Sequence, residues 1–150
     1  MEKDSNWTSY CCGTSLVPKV NEQSLTEKYN GKASRHVVIV RGAKQWPGIQ
    51  SALVSATVTG KTYRVNFWIK VVKGRVSSSM LRKGKGYASL HKGKVINKPD
   101  WTEYTFYYTE KTGENAWLCF SGSKGETEFY LDDVSVEEVL ESEEGGESWL

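Results

Sequence analysis

Between Thr62 and Val71 the chain alternates, with Tyr63, Val65, Phe67, Ile69 and Val71 on one side and Arg64, Asn66, Trp68 and Lys70 on the other. A period of two marks an extended strand with one face on a core. The same signal recurs from Trp101 to Tyr108, where Tyr104, Phe106 and Tyr108 share a face. Short β-branched or aromatic runs predict further strands over Arg35 to Arg41, Leu53 to Val58, Ala116 to Phe120 and Thr127 to Val136. Turn formers separate them: Asn30-Gly31, Gly42, Pro47-Gly48, Thr59-Gly60-Lys61, Gly84, Gly86, Gly93, Pro99-Asp100, Gly113, Gly122 and Gly125. No segment has a useful helical period, and Glu22 to Lys28 offers one turn at most. Short strands at near-regular spacing with glycine-rich turns predict an all-β sandwich.

At 150 residues the chain is expected to be one domain over residues 1–139, followed by an acidic, Gly-interrupted tail over 140–150 that reads as disordered linker. No apolar run approaches a membrane span, and a net charge of +2 makes no case for nucleic acid. Met1 followed directly by charged residues reads as a module of a longer precursor, and the sequon Asn6-Trp7-Thr8 leans toward secretion. Charge is segregated: Lys73 to Lys94 is basic and Glu137 to Glu147 acidic, both read as solvated segments. Cys11, Cys12 and Cys119 have no zinc spacing; either all three are reduced, or Cys11 or Cys12 bridges to Cys119.

Two features carry chemistry. The first is Asp132-Asp133, adjacent acids in an otherwise apolar closing strand. Desolvated carboxylate needs a partner, which predicts either Lys or Arg or a hard cation such as calcium. Glu2 and carbonyls of the Asn30-Gly31-Lys32 turn are candidate further ligands. The second is a set of aromatics beyond the needs of a core: six Trp and eight Tyr in all. Trp46, Trp68, Tyr87, Tyr107, Trp117 and Tyr130 could stack on the apolar faces of sugars, with Arg41, Gln45, Gln50, Asn66 and Glu128 as hydrogen-bonding partners. Catalysis is disfavoured, since the glutamates lie scattered on short strands and loops and no nucleophile–base set has recognisable spacing.

Six pieces in order resemble the carbohydrate-binding modules of families 4, 9 and 22. They are Glu2…Trp7, Tyr29 to Ser34, Arg41 to Gly48 with its Trp-Pro-Gly, Gly60 to Lys70, Trp101 with Tyr104 and Phe106, and Phe129 to Val134. The resemblance implies a jelly-roll β-sandwich of two antiparallel sheets, galactose-binding-domain-like. It also implies a structural calcium held by Glu2, Lys32 (through its carbonyl) and Asp132 or Asp133. Carried over by position, the ligand-binding residues would be Trp46 and Glu128 first, then Tyr87 and His91, with Arg41 and Trp68 beside them. The expected function is non-catalytic binding of β-1,4-linked plant polysaccharide, xylan before β-glucan or cellulose, by a secreted monomeric module attached to a glycoside hydrolase. The basic segment favours glycans bearing acidic groups. The rival reading is a protein-interaction or adhesion domain on the same sandwich.

Overall fold

The computed structural model describes residues 7–8, 18–31, 33–42, 48–51, 58–82, 89–111 and 116–139; at 7–8, 51, 81–82, 89–93 and 116 the backbone alone is described. Among the described residues ten strands follow in chain order: β1 (Trp7–Thr8), β2 (Val20–Ser24), β3 (Ser34–Arg41), β4 (Gly48–Ser51), β5 (Thr62–Lys73), β6 (Val76–Arg82), β7 (Ser89–Ile96), β8 (Thr102–Thr109), β9 (Ala116–Gly122) and β10 (Gly125–Glu138). They form two five-stranded antiparallel sheets. Sheet I has the order β1-β4-β9-β6-β7 and sheet II the order β2-β3-β10-β5-β8. The chain crosses from one sheet to the other between β1 and β2, β3 and β4, β4 and β5, β5 and β6, β7 and β8, β8 and β9, and β9 and β10. The result is the expected jelly-roll sandwich.

The alternation seen in the sequence sets the core. Tyr63, Val65, Phe67, Ile69 and Val71 of β5 are all buried, and the residues between them face outward and are half-buried. Phe67 meets Phe120 of β9 edge-on with centroids 5.0 Å apart, so the central strands of the two sheets interlock through aromatic rings. Phe129 and Leu131 of β10 and Val37 and Ile39 of β3 complete the sheet II side, and Ile49, Val76, Met80, Ile96 and Leu118 the sheet I side.

Three expectations need correction. The basic segment from Lys73 to Lys94 is not a solvated loop: most of it is the β6–β7 pair. Val76, Ser78 and Met80 face the core there, and the serine broke the apolar signal. β7 is an edge strand, where lysines discourage pairing with other chains. Gly48, read as part of a turn with Pro47, is the first residue of β4, and Pro47 lies outside the described residues. The strand predicted over 53–58 lies outside the described residues except for Val58, which is not in a strand. Glu22 belongs to β2 rather than to a helical turn.

The bridge considered from Cys11 or Cys12 to Cys119 is also absent. Cys119 is a free, buried thiol, and β4 lies between β1 and β9. Residues 140–150 lie outside the described residues.

Candidate functional site

Sheet I and sheet II present chemically opposite outer faces. Among the described residues every strand carboxylate belongs to sheet II, from Glu22 in β2 to Glu138 in β10; the strands of sheet I contain none. A catalytic carboxylate pair therefore cannot be drawn from sheet I strands.

Parity fixes what sheet I shows outward. Ile49, Leu118 and Phe120 lie in the core, so Gly48, Gln50, Trp117, Cys119 and Ser121 point the other way. On β6, Ser77 and Ser79 alternate with the buried Val76, Ser78 and Met80. The strand registers align these residues into rows. Gln50 faces Cys119, which faces Ser79; Gly48 faces Ser121, which faces Ser77; Trp117 faces Leu81. The rows give a floor of small, uncharged side chains with a half-buried Trp117 and the Gln50 amide beside it. Gln50 is only 3% exposed, yet its Oε1 accepts no hydrogen bond among the described residues. A buried amide oxygen without a donor is costly unless a ligand or water supplies one. Such a floor suits a neutral, hydroxyl-rich ligand.

Cys119 keeps this floor uncharged. Burial pushes its thiol from 9.0 up to about 12. Burial, and then Glu110, likewise hold Tyr108 above the ordinary phenol range. Each group keeps a proton in the folded state that it would release when unfolded. Their stabilisation is therefore complete below the ordinary thiol range and is lost as pH rises toward the folded values. Unfolding midpoints are expected to fall between neutral pH and about pH 10, with a shallower fall in Cys119→Ala. Equal slopes in the two proteins would count against the buried thiol.

The residues expected at a sugar site do not all share this face. Trp46 lies outside the described residues, but β4, two residues on, belongs to sheet I. Tyr87 is outside them as well. His91 sits in β7 opposite Met80, with its backbone alone described. Glu128 is on the other sheet: it projects from β10 and its Oε2 lies 2.7 Å from His36 Nε2. His36 in turn stacks on Tyr130, centroids 4.5 Å apart, and burial followed by Glu128 raises the Tyr130 phenol. Parity along β10 thus places the Glu128 carboxylate beside His36 on sheet II. Arg41 is half-buried and donates to main-chain carbonyls, from Nε to Gly122 O (2.8 Å) and from Nη1 to Gly42 O (2.7 Å); burial lowers its pKa below the usual guanidinium value. It ties the end of β3 to the end of β9. Trp68 is on the outer face of sheet II beneath Tyr29, stacked at 3.8 Å and 11°. Gln50 and Trp117 were legible only as members of a longer list of polar and aromatic residues.

Of the metal candidates, Glu2 and Lys32 lie outside the described residues. Asp132 is fully buried. Its Oδ2 accepts the main-chain N–H of Tyr29 and of Asn30, each at 2.9 Å, and its Oδ1 that of Asp133 at 2.8 Å. Asp133 is exposed at a break in the β10–β5 register, with φ 49°, a left-handed conformation that Asp tolerates better than most residues. Its Oδ2 accepts from Asn30 Nδ2 at 3.3 Å. The three main-chain amide hydrogens supply part of the compensation that burial of Asp132 demands. Among the described residues no three of His, Cys, Asp and Glu gather into a metal-binding group. The oxygen donors of Asp132, Asp133 and the adjoining turn are nevertheless of the hard type that calcium takes.

Comparison with known proteins fits this architecture. The sequence profile of a family described as a carbohydrate binding domain matches residues 2–126. Endo-1,4-beta-xylanase A of Thermotoga maritima is 29% identical over 132 residues, taking in 81% of this chain and 12% of the xylanase. The chain thus spans 12% of the length of the curated relatives it first matches. Among solved structures, the CBM22-2 xylan-binding domain from Paenibacillus barcinonensis Xyn10C superposes with a TM-score of 0.65 at 16% identity, covering 90% of this chain and 92% of that one. The N-terminal cellulose-binding domain of Cellulomonas fimi β-1,4-glucanase C superposes with a TM-score of 0.60 at 16% identity, covering 91% and 90%. At such identities the structures speak to the fold.

Proposed function

The chain belongs to the carbohydrate binding domain family, and from that premise we propose that it binds β-1,4-linked plant polysaccharide on the outer face of sheet I, xylan first and β-glucan or cellulose second. The observation that carries the location is the floor of acid-free strands with the buried Gln50 Oε1, which has no donor among the described residues. A sugar hydroxyl would supply a donor to Gln50 Oε1, Ser77, Ser79 and Ser121 offer both donors and acceptors, and Trp117 would supply stacking surface, with Trp46 the further candidate from the sequence. The names of the xylanase relatives support xylan as the first ligand. The domain is a binding domain and not a catalytic one. Within a longer secreted protein, as a monomeric unit, it would hold an attached glycoside hydrolase on the polymer and raise its effective concentration there.

Affinity electrophoresis through soluble xylan, β-glucan, hydroxyethylcellulose and mannan tests this reading. The protein is expected to be retarded most by xylan. Gln50→Ala and Trp46→Ala should each weaken retention by about tenfold, the cost of one lost buried hydrogen bond or stacking contact. Glu128→Ala should leave retention nearly unchanged, because its carboxylate serves His36 on the other sheet. Full retention by Gln50→Ala together with loss in Glu128→Ala would move the site to sheet II.

A structural calcium at the closing end of β10 is part of the same proposal. Asp132, Asp133 and the carbonyl of Lys32 would hold it with Glu2, and the ion would tie the start of the chain to its last strand. Chelation with EGTA is expected to lower the melting temperature by roughly 5 °C or more, as for loss of a ligand held well above its dissociation constant. An unchanged melting temperature would remove calcium from the account and leave the amide-bound Asp132 as it stands.

A further inference from the structure

The loop between β2 and β3 lies over the outer face of sheet II, and its Tyr29 forms an aromatic ledge. One ring face of Tyr29 stacks on Trp68, 3.8 Å centroid to centroid and nearly parallel. Trp101 stands beside it at 6.1 Å, tilted by 54°. Tyr29 is nonetheless 44% exposed, so its other face looks to solvent. The ledge is rigid, because the main-chain N–H groups of Tyr29 and Asn30 are both fixed by the buried Asp132. The rim is rich in acceptors. The exposed Glu103 carboxylate is held by Asn66 Nδ2 at 3.1 Å, and Asp133 is held by Asn30.

We propose that the Tyr29–Trp101 ledge is a second carbohydrate-binding site, for neutral glycan chains, on the sheet opposite the one bearing Gln50. A flat aromatic face accepts the C–H face of a pyranose, and carboxylates accept from its hydroxyls. The same carboxylates repel polyanions, so acidic glycans and nucleic acids do not fit. Preorganisation lowers the entropic cost of binding on a small surface. Because the two sites face opposite ways, one stiff polymer does not reach both: each molecule bridges two chains and so cross-links polysaccharide. The identity of the occupant rests on the family membership, whereas the location is independent of the floor on sheet I.

Isothermal titration with xylohexaose and with cellohexaose tests this in the wild type, Tyr29→Ala, Tyr29→Phe and Gln50→Ala. Two binding events per chain are expected in the wild type. Tyr29→Ala should weaken one of them about tenfold or more and leave the other unchanged, and Tyr29→Phe, which keeps the ring, should retain both. Light scattering from soluble xylan should rise on adding wild type and not on adding Tyr29→Ala. Saturation at one oligosaccharide per chain, or two events that both survive in Tyr29→Ala, would overturn the ledge and leave the sheet I site standing. A single event abolished by Tyr29→Ala and untouched by Gln50→Ala would do the reverse.

Discussion

Asp132→Ala is expected to lower the free energy of unfolding by about 3 kcal/mol, the value of charge-assisted hydrogen bonds partly recovered by water at the loop. The substitution strips acceptors from Tyr29 N, Asn30 N and Asp133 N together. The first two lie 103 and 102 residues away in sequence, so the loss unfastens the loop between β2 and β3 from the closing strand. Tyr29 should then leave Trp68, which predicts a red shift in tryptophan emission before global unfolding. Urea unfolding followed by fluorescence reads both effects. Measuring with and without EGTA separates the amide contribution from any held through calcium. A change below about 1 kcal/mol, within the range of an ordinary surface substitution, would mean that the loop has other anchors.

That anchor shows what was and was not legible in the sequence. The long strands β5 and β8 were readable because each alternates with one face on the core, and β10 because it does so as far as Leu131. β6 and β7 were not, since Ser78 sits in a core position and satisfies its hydroxyl through Lys94 O and N. A serine bonded to a neighbouring strand looks, in sequence, like a serine in water. The acids of the closing strand were singled out as needing partners, and three of the partners of Asp132 are main-chain N–H groups. Main-chain N–H groups carry no signature in sequence, and two of these come from a loop far along the chain. Glu128 was assigned to the sugar by its place in the motif; the pairing of β10 with β3, which sets it beside His36, could not be read from the sequence. The floor of sheet I was the least visible feature. Gly48, Ser77, Ser79, Cys119 and Ser121 are small residues that announce nothing singly, and only the strand order aligns them. The absence of acids from sheet I was present in the sequence, but it could be read only once strands had been assigned to sheets.

Gly48→Ala should damage stability and binding together, and the joint effect distinguishes it from changes at the site itself. A Cβ at residue 48 would stand 2.2 Å from the carbonyl oxygen of Phe120 and 3.1 Å from the Cα of Ser121. Both are main-chain atoms of the paired strand β9, so no side-chain rotation relieves the contact. β4 must draw away from β9, lifting the fully buried Ile49 from the core. The expected cost is about 3 kcal/mol, combining overpacking with partial loss of an isoleucine's burial. Gln50 follows Ile49 by one residue and would lose its place opposite Cys119. Thermal unfolding and xylan affinity electrophoresis on the same preparation check the coupling. Gly48→Ala should lose stability and retention at once, whereas Gln50→Ala should lose retention with little loss of stability, since its Oε1 satisfies no donor among the described residues. A Gly48→Ala protein that melts normally would show that β4 can shift without strain. One that melts early yet keeps full retention would separate the polysaccharide from this edge of sheet I.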